Sequence, residues 1–315
     1  MITLNDIREA RDRIAPFVKR TPLERCETLS RHLGTNVYVK YELFQKTGSF
    51  KPRGAFNKML SLSDEEKRNG VVAVSGGNHA QGVAYAAGML GIDAVILMPE
   101  NTPQNSLDAT REYGATADLQ PNITAAFEKI DHYTAAGRTL VHPFDDELVI
   151  AGQGTVGLEI LEDCPQVTDI FASIGGGGLA AGVAIAVRTE RPELRVFGVE
   201  TVGADAMAQA IAAGQVVDLP AITSIAKTLG APAVTERTLD LVREWLESVT
   251  VVTDAEAMAA LRLIAERLKV FCEPASSCNL AAAEKLRDKF TPESHLVIVL
   301  CGGNFAVRDL CSFGD

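Results

Sequence analysis

The sequence is poor in basic residues and in long hydrophobic runs, and each shortage excludes a class of partner. It contains 30 lysines and arginines against 41 aspartates and glutamates, so its net charge is −11. This charge disfavours nucleic acids and anionic membranes, which attract basic surfaces. The longest apolar stretch, residues 179–187, is much shorter than the roughly 20 residues of a membrane-spanning helix. We therefore expect no nucleic acid and no membrane among the partners.

Histidine and cysteine are also scarce, and neither forms a recognisable pattern. The five histidines make no ligand cluster with cysteine or carboxylate, which disfavours zinc. The six cysteines show no C-x-x-C spacing and are typical of reduced thiols, so we predict a cytoplasmic protein. The N-terminal residues lead into a charged amphipathic helix rather than a secretory signal, which favours the same compartment. The cysteines are Cys26, Cys164, Cys272, Cys278, Cys301 and Cys311.

Strand-like and helical patterns alternate through most of the chain. Its 315 residues, 47% of them hydrophobic, suffice for one large or two moderate domains with an ample core. The strands are near-continuous apolar runs, as in parallel sheets with both faces covered. The predicted strands are residues 37–41, 71–75, 94–98, 139–141, 170–174, 196–199, 249–252 and 296–300. The predicted helices are residues 64–68, 78–90, 104–113, 123–136, 179–189, 255–268 and 275–289.

This alternation predicts an α/β fold whose ligands bind at the carboxyl ends of the strands, where loops lead into helices. We divide the chain into a small α/β domain of residues 46–141 and a large domain of residues 1–45 and 142–315. The small domain would then be an insertion in the large one, which both ends of the chain form. No internal repeat or low-complexity linker interrupts the pattern.

One lysine has the local sequence of a Schiff-base former. Lys51 follows Phe50 in a run of small residues, and no carboxylate lies within five positions on either side. A lysine that loses solvation as a cation has a lowered pKa, so its neutral amine becomes available as a nucleophile. The sequence therefore indicates Lys51 as the candidate catalytic residue.

Two glycine-rich loops each follow an apolar strand and lead into a helix. Residues 175–178 are four glycines whose backbone N–H groups can converge on an anion, and we interpret them as a phosphate cradle rather than a flexible turn. Their pattern matches neither G-x-x-x-x-G-K-[ST] nor G-x-G-x-x-G. Residues 75–79 can hold a carboxylate through backbone amides. Asn78 can donate to a phenolic oxygen or cap the helix, and we interpret His79 as structural.

Cys301 ends the last predicted strand and precedes Gly302, Gly303 and Asn304. Its thiol is therefore expected at the same edge of the sheet as the glycine loops. There it can hydrogen-bond a pyridine nitrogen without carrying a formal negative charge. From the residues alone, an inert buried core cysteine is an equally good interpretation.

Six motifs together resemble the serine/threonine dehydratase (threonine ammonia-lyase) and serine racemase family of fold-type II pyridoxal-phosphate enzymes. They occur in family order over essentially the whole chain. The resemblance implies two parallel-sheet α/β domains with the active site in the cleft between them, and a homodimer or homotetramer. The motifs are S-F-K-x-R-G at 49–54, S-x-G-N-H-A-Q-G at 75–82, A-G-Q-G-T at 151–155, G-G-G-G-L at 175–179, E-P at 273–274 and G-G-N at 302–304.

The resemblance also implies a role for each candidate residue. Lys51 would hold pyridoxal 5'-phosphate as a Schiff base and, once freed, remove the Cα proton of a hydroxy amino acid. Phe50 would pack near the cofactor ring, Asn78 would contact its 3-oxygen, and Cys301 would face the pyridine nitrogen. The large domain would bind the cofactor phosphate through Gly175, Gly176, Gly177, Gly178 and Leu179. The substrate carboxylate would bind Ser75, Gly76, Gly77, Asn78 and His79.

Two departures from the family pattern refine the expected activity. In serine racemases a serine at the position of Gly76 is the acid/base on the second face of the cofactor, so the glycine favours dehydration. We expect L-threonine and/or L-serine to be converted to a 2-oxo acid and ammonium. Metal-binding members use a glutamate, a backbone carbonyl and an aspartate at positions matching Glu200, Ala204 and Ala206, and the Ala206 side chain cannot ligate. A divalent or monovalent cation near Glu200 and Ala204 stays open, with Asp205 as a substitute ligand.

Several alternative functions stay open as well. Within the family, the substrate can be threo-3-hydroxyaspartate or a hydroxyectoine-derived compound, because a few side chains near the β-carbon set the choice. Serine racemisation is a further alternative. Cysteine synthases, which catalyse β-replacement, read S-G-N-T where residues 77–79 read G-N-H, so that reaction is disfavoured. A degenerate metabolite-binding protein is the non-enzyme alternative, and the retention of Lys51 and both loops argues against it.

Overall fold

The computed structural model of the chain describes residues 2–306, which fold as helices packed around two β-sheets. Most strands are rich in apolar side chains, and three of the strands are buried along their whole length. The strands are β1 (Leu23–Arg25), β2 (Asn36–Lys40), β3 (Val71–Val74), β4 (Ala94–Pro99), β5 (Thr116–Gln120), β6 (Thr139–Leu140), β7 (Asp169–Ser173), β8 (Arg195–Thr201), β9 (Ser248–Val252) and β10 (His295–Val299).

The described strands form a six-stranded sheet in the order β1-β2-β10-β7-β8-β9 and a four-stranded sheet in the order β5-β4-β3-β6. All neighbouring strands are parallel except β1 and β2, which are antiparallel. The predicted α/β fold with two parallel sheets is thus confirmed. The four strands of the smaller sheet lie inside residues 46–141 and the other six lie outside them, while the domain boundaries themselves stay a prediction.

Each predicted strand is present, with ends within two residues of the prediction, but β1 and β5 were not predicted. Both are weakly apolar. β1 has three residues with two of them exposed, and β5 is a half-exposed edge strand with the sequence TADLQ. An edge strand needs no continuous apolar run where its faces are left partly open to solvent, as the exposed residues of β1 and β5 show. The missing pattern explains why sequence reasoning passed over them.

Helices fill the connections between the strands, and the predicted ones are present with two differences. Residues 123–136 form two helices rather than one, and the last predicted helix ends at Lys285 and is followed by a short 3-10 turn. The helices are α1 (Leu4–Ile14), α2 (Glu27–Leu33), α3 (Lys51–Leu60), α4 (Asp64–Asn69), α5 (Asn78–Leu90), α6 (Gln104–Glu112), α7 (Ile123–Glu128), α8 (Ile130–Ala135), α9 (Glu147–Asp163), α10 (Gly178–Glu190), α11 (Ala206–Ala213), α12 (Glu236–Trp245), α13 (Asp254–Leu268) and α14 (Pro274–Lys285).

The helix α9 was missed because it is buried along most of its length and so lacks an amphipathic period. Its N-cap is Asp146, whose side chain accepts the backbone N–H groups of Leu148 and Val149 at 2.8 and 3.1 Å. It packs against α3 and α10. The contact with α3 requires glycine, because a Cβ on Gly152 would lie 2.6 Å from the Arg53 carbonyl oxygen. This close crossing fixes α3, whose first residue is Lys51.

The carboxyl ends of β3, β7 and β10 bring three loops toward the start of α3. The loop after β10 pairs with the segment before Lys51: the Phe50 N–H donates to the Cys301 carbonyl at 3.0 Å, and the Gly303 N–H donates to the Gly48 carbonyl at 2.9 Å. Ser49 and Gly302 form an isolated bridge between the same segments. The sheet topology therefore assembles the predicted site residues at one place.

Two sequence-based expectations concern features outside this arrangement. No helix within residues 2–306 is long and apolar enough to cross a membrane. Five of the six cysteines are free thiols, and four of these five are buried. Cys311 lies outside the described residues.

Candidate active site

Lys51 begins α3 and points its amine into the protein. Its Nζ donates to the carbonyl oxygen of Pro143 at 2.8 Å and lies 5.1 Å from the centroid of the Phe50 ring. Burial lowers the pKa of Lys51 to about 8, although Cys301 and Glu273 nearby pull it upward. At pH 7 roughly a tenth of such an amine is neutral, far more than for an exposed lysine. The structure therefore gives Lys51 the chemistry of a nucleophile and a base.

The four-glycine loop joins β7 to α10 and has no room for side chains. A Cβ on Gly175 would lie 3.2 Å from the Leu229 carbonyl oxygen, and a Cβ on Gly176 would overlap the ring of Phe144. Gly177 has a φ of 98°, which disfavours any residue with a side chain. The loop leads into the first turn of α10, where backbone N–H groups have no intrahelical partner and no acidic residue is present. This arrangement fits a phosphate at a helix N-terminus.

The loop from Ser75 to His79 joins β3 to α5. The Ser75 hydroxyl accepts the N–H of Gly77 at 3.0 Å, which fixes the turn. His79 hydrogen-bonds the Val141 carbonyl oxygen through Nε2 at 2.8 Å, so Nε2 carries the proton. Burial holds the pKa of His79 well below its usual value, so the ring is neutral. These contacts agree with a structural role for His79.

Asn78 connects three segments of the site. Its Nδ2 donates to Glu273 Oε1 at 2.8 Å, and its Oδ1 accepts from Asn304 Nδ2 at 2.8 Å. The second Nδ2 hydrogen can still donate to a phenolic oxygen. The alternative that Asn78 caps the helix is wrong, because the N-cap is Gly77 and Asn78 is the first helical residue.

Cys301 is buried beside two hydroxyl groups. Its Sγ lies 3.2 Å from Ser276 Oγ and 3.7 Å from Ser173 Oγ. Burial raises the pKa of Cys301 to about 12, with Glu273 acting in the same direction, so the thiol is neutral. A neutral thiol is what the sequence predicted opposite a pyridine nitrogen, and a core cysteine would have the same burial. The role of Cys301 at the cofactor stays a prediction.

Sequence reasoning gave no role to Glu273, Pro143 or Asn304, which all contact the predicted residues. Glu273 is buried beside the side chains of Asn78 and Thr228. Burial raises the pKa of Glu273 to about 7, against the hydrogen bond from Asn78 and the charge of Lys51. The E-P and G-G-N motifs were the available signals for Glu273 and Asn304. Nothing in the sequence indicates that the Pro143 carbonyl receives the amine.

The residues considered for a cation lie around the start of α11. Both carboxylate oxygens of Glu200 accept backbone N–H groups at the start of α11, from Met207 at 2.9 Å and from Ala208 at 2.8 Å. Ala206 is the first residue of α11, and Asp205 accepts the N–H of Gly203 at 3.1 Å. In residues 2–306 no group of three or more histidine, cysteine, aspartate or glutamate side chains is placed to hold a metal ion.

We expect Glu273→Gln to lower the pKa of Lys51 further. The glutamate charge raises the pKa of Lys51, and glutamine keeps the oxygen that accepts from Asn78 while removing the charge. The measurement is the pH dependence of Lys51 acetylation in the cofactor-free protein, followed by peptide mass spectrometry. The midpoint should move below that of the wild type. An unchanged midpoint would show that Glu273 does not act on the amine, and Lys58 on the same helix supplies the internal reference.

These features define a class of enzyme. A buried amine with a lowered pKa, a glycine loop without space for side chains and a neutral thiol converge at the carboxyl ends of parallel strands. Such a set fits a phosphorylated carbonyl cofactor attached to lysine. The chain belongs to the family of pyridoxal-phosphate dependent enzymes, whose model matches residues 14–302.

Named relatives and solved structures agree with this family. The chain is 40% identical over 312 residues to the L-threonine ammonia-lyase of Thermotoga maritima, covering 98% of this chain and 77% of that protein. The structure of maize serine racemase superimposes with a TM-score of 0.93 at 36% identity, covering 99% of this chain and 96% of that one. The Solanum lycopersicum threonine deaminase isoform 2, in its processed form, has a TM-score of 0.92 at 33% identity, covering 98% of this chain and 90% of that one.

Proposed function

We propose that the protein is an ammonia-lyase that converts L-threonine and/or L-serine to a 2-oxo acid and ammonium. The observation that carries the proposal is the placement of a desolvated Lys51 amine next to the helix α5, whose preceding loop has no side chain at Gly76. The similarity to proteins named threonine ammonia-lyase and threonine deaminase supports it. The proposed reaction is the one expected from the sequence.

The residues of the chain divide the work as follows. Phe50, Asn78, Cys301 and the loop from Gly175 to Leu179 would hold the cofactor, which supplies an electron sink for the charge left on Cα when its proton is removed. Backbone amides of residues 75–79 bind the substrate carboxylate. The Lys51 amine takes the Cα proton, and the Pro143 carbonyl orients that amine.

The electrostatics favour elimination over a long-lived carbanion. Cys301 stays neutral because burial raises its pKa to about 12, so no charge on this residue draws a proton onto the pyridine nitrogen. A weaker electron sink favours prompt loss of the β-hydroxyl. Gly76 offers no acid/base to the second face, which disfavours racemisation despite the similarity to maize serine racemase. A divalent or monovalent cation near Glu200 and Ala204 stays an open alternative, because each Glu200 oxygen accepts one backbone N–H and keeps a second lone pair.

The test is 2-oxo acid release by the protein purified with pyridoxal phosphate. We expect release from L-threonine and/or L-serine at a rate well above that from threo-3-hydroxyaspartate. A faster release from threo-3-hydroxyaspartate would identify that compound as the substrate instead. A colourless protein that releases no 2-oxo acid from any of these amino acids would favour the alternative of a degenerate metabolite-binding protein. Light scattering tests the predicted homodimer or homotetramer, and fractionation tests the predicted cytoplasmic location.

A further inference from the structure

The loop that carries Gly76 meets a second loop at the same edge of the smaller sheet. Residues 75–77 follow β3, and Thr102 lies in the turn after the neighbouring parallel strand β4. The Ser75 N–H donates to the Leu97 carbonyl oxygen at 3.1 Å, and the Thr102 N–H donates to the Pro99 carbonyl oxygen at 2.9 Å. Both loops are thus fixed to the sheet by backbone hydrogen bonds, so their separation is set by the fold.

The Thr102 hydroxyl occupies the space that a side chain at position 76 would need. A Cβ on Gly76 would lie 2.7 Å from Thr102 Oγ1, closer than real Cβ contacts allow. The other neighbours are at ordinary distances, with Pro99 Cδ at 3.5 Å and Thr102 Cβ at 3.7 Å. The backbone at Gly76 is not in the left-handed region, so conformation does not require glycine there. The hydroxyl of Thr102 is the single obstacle.

That hydroxyl makes no hydrogen bond that would explain its presence. Thr102 Oγ1 is buried and has no partner among residues 2–306. A buried hydroxyl without a partner costs free energy, and an apolar side chain of the same shape would avoid that cost. Among the described residues, the contact of Oγ1 with position 76 is therefore steric.

We infer that Thr102 is a specificity-determining residue: it keeps position 76 free of a side chain and so confines proton transfer to the Lys51 side of the site. This inference rests on the proposed function for its catalytic consequence. Gly76→Ser alone would force the new side chain against Thr102 Oγ1. Gly76→Ser combined with Thr102→Ala leaves the contacts of the new Cβ with Pro99 Cδ at 3.5 Å and with the Cβ of residue 102 at 3.7 Å, both ordinary distances.

A stability cycle tests the steric part without any catalysis. In the cofactor-free protein, Gly76→Ala should lower Tm by about 2–4 °C or more, as overpacking does. In the Thr102→Ala background this drop in Tm should disappear, so the double variant Gly76→Ala/Thr102→Ala should have the same Tm as Thr102→Ala alone. Thr102→Val is the matched control, because it keeps the volume and removes only the polar atom. With valine at position 102 the penalty of Gly76→Ala should persist. A Gly76→Ala protein as stable as the wild type would overturn the inference, as would a penalty that Thr102→Ala does not relieve.

The catalytic part is tested by chiral chromatography of serine alongside pyruvate release. Gly76→Ser/Thr102→Ala should raise the ratio of racemisation to elimination by roughly 10²-fold over the wild type, the size of a general acid–base contribution. Gly76→Ser/Thr102→Val should not. The role of Thr102 would be wrong if this ratio rose equally in both double variants, or if it did not rise in Gly76→Ser/Thr102→Ala. If the wild type itself eliminates water from no hydroxy amino acid, the proposed function fails instead, and the stability cycle still decides the steric part.

Discussion

Lys51→Ala should abolish 2-oxo acid release. The substitution removes the covalent attachment point of the cofactor and the base that takes the Cα proton, and no other lysine is placed at the Pro143 carbonyl in the described structure. A general base alone contributes about 10²–10⁴-fold, so we expect a loss of at least roughly 10³-fold. The measurement is the initial rate of 2-oxo acid formation at saturating substrate and cofactor.

Two controls separate lost chemistry from lost folding. The glycine loop and Asn78 are untouched, so the Lys51→Ala protein should still retain pyridoxal phosphate non-covalently, with the absorbance of the free aldehyde. Lys58→Ala, on the same helix but paired with Asp146 at 2.7 Å, should keep activity within a few-fold of the wild type, since Lys58 lies about two helical turns from Lys51 and its ammonium binds a different partner. Turnover by Lys51→Ala within about tenfold of the wild type, about 1.4 kcal/mol in barrier, would remove Lys51 from the mechanism.

The fold was predictable wherever burial leaves a simple pattern. Strands β3 and β4 are continuous apolar runs, β7 and β10 are apolar in their central residues, and the helix predicted at residues 64–68 is present as α4. Prediction passed over α2, α3, α11 and the amphipathic α12, and it failed for a physical reason at both extremes of burial. The edge strand β5 shows too little apolar character, and α9 is apolar on all sides, so neither displays the period of its secondary structure.

The site was predictable where the chemistry lies in short local motifs. Lys51 and the two glycine loops are contiguous in sequence, and their backbone geometry depends on the glycines themselves. Glu273 and Thr102 act through contacts with segments far away along the chain, at Asn78 and Gly76. A single sequence does not show which residues far apart along the chain lie next to each other in the folded protein. The Thr102 contact is the clearer case, because its turn looks like any solvent-exposed loop after a strand.

The residue expected to matter most for stability is Arg53, in the motif that contains Lys51. Its guanidinium donates to Glu42 through Nε and Nη2, both at 2.8 Å, and to Glu159 through Nη1 at 2.7 Å. Lys40 donates to Glu159 at 2.5 Å and to the Thr21 carbonyl at 2.7 Å. All four charged side chains are buried and their charges balance. The cluster anchors the first turn of α3, and so Lys51, to β2 and α9.

Arg53→Met should destabilise the folded protein by about 3–5 kcal/mol, because it leaves buried carboxylates without their main partner. The measurement is urea unfolding at pH 7.5. Arg8→Met is the matched control, since the Arg8–Glu190 pair is roughly half exposed and such pairs contribute about 0–1 kcal/mol. Arg53→Lys should destabilise the protein less than Arg53→Met and more than Arg8→Met, because lysine keeps the charge and loses the bidentate geometry.

The pH dependence of this loss distinguishes buried charge from lost packing. In the wild type, burial raises the pKa of Glu159, but Arg53 and Lys40 outweigh it and hold the pKa below its usual value. That group therefore contributes stability above its unfolded pKa and loses it as the pH falls through the folded pKa. Without Arg53, we expect the pKa of the Glu159 carboxyl to be higher in the folded than in the unfolded protein. Acidification then neutralises the buried carboxylate, and the loss of unfolding free energy caused by Arg53→Met should become smaller. We expect the stability difference between wild type and Arg53→Met to narrow between pH 7.5 and pH 5.5. A difference that stays constant over this range would mean that Arg53 stabilises the cluster by packing rather than by charge.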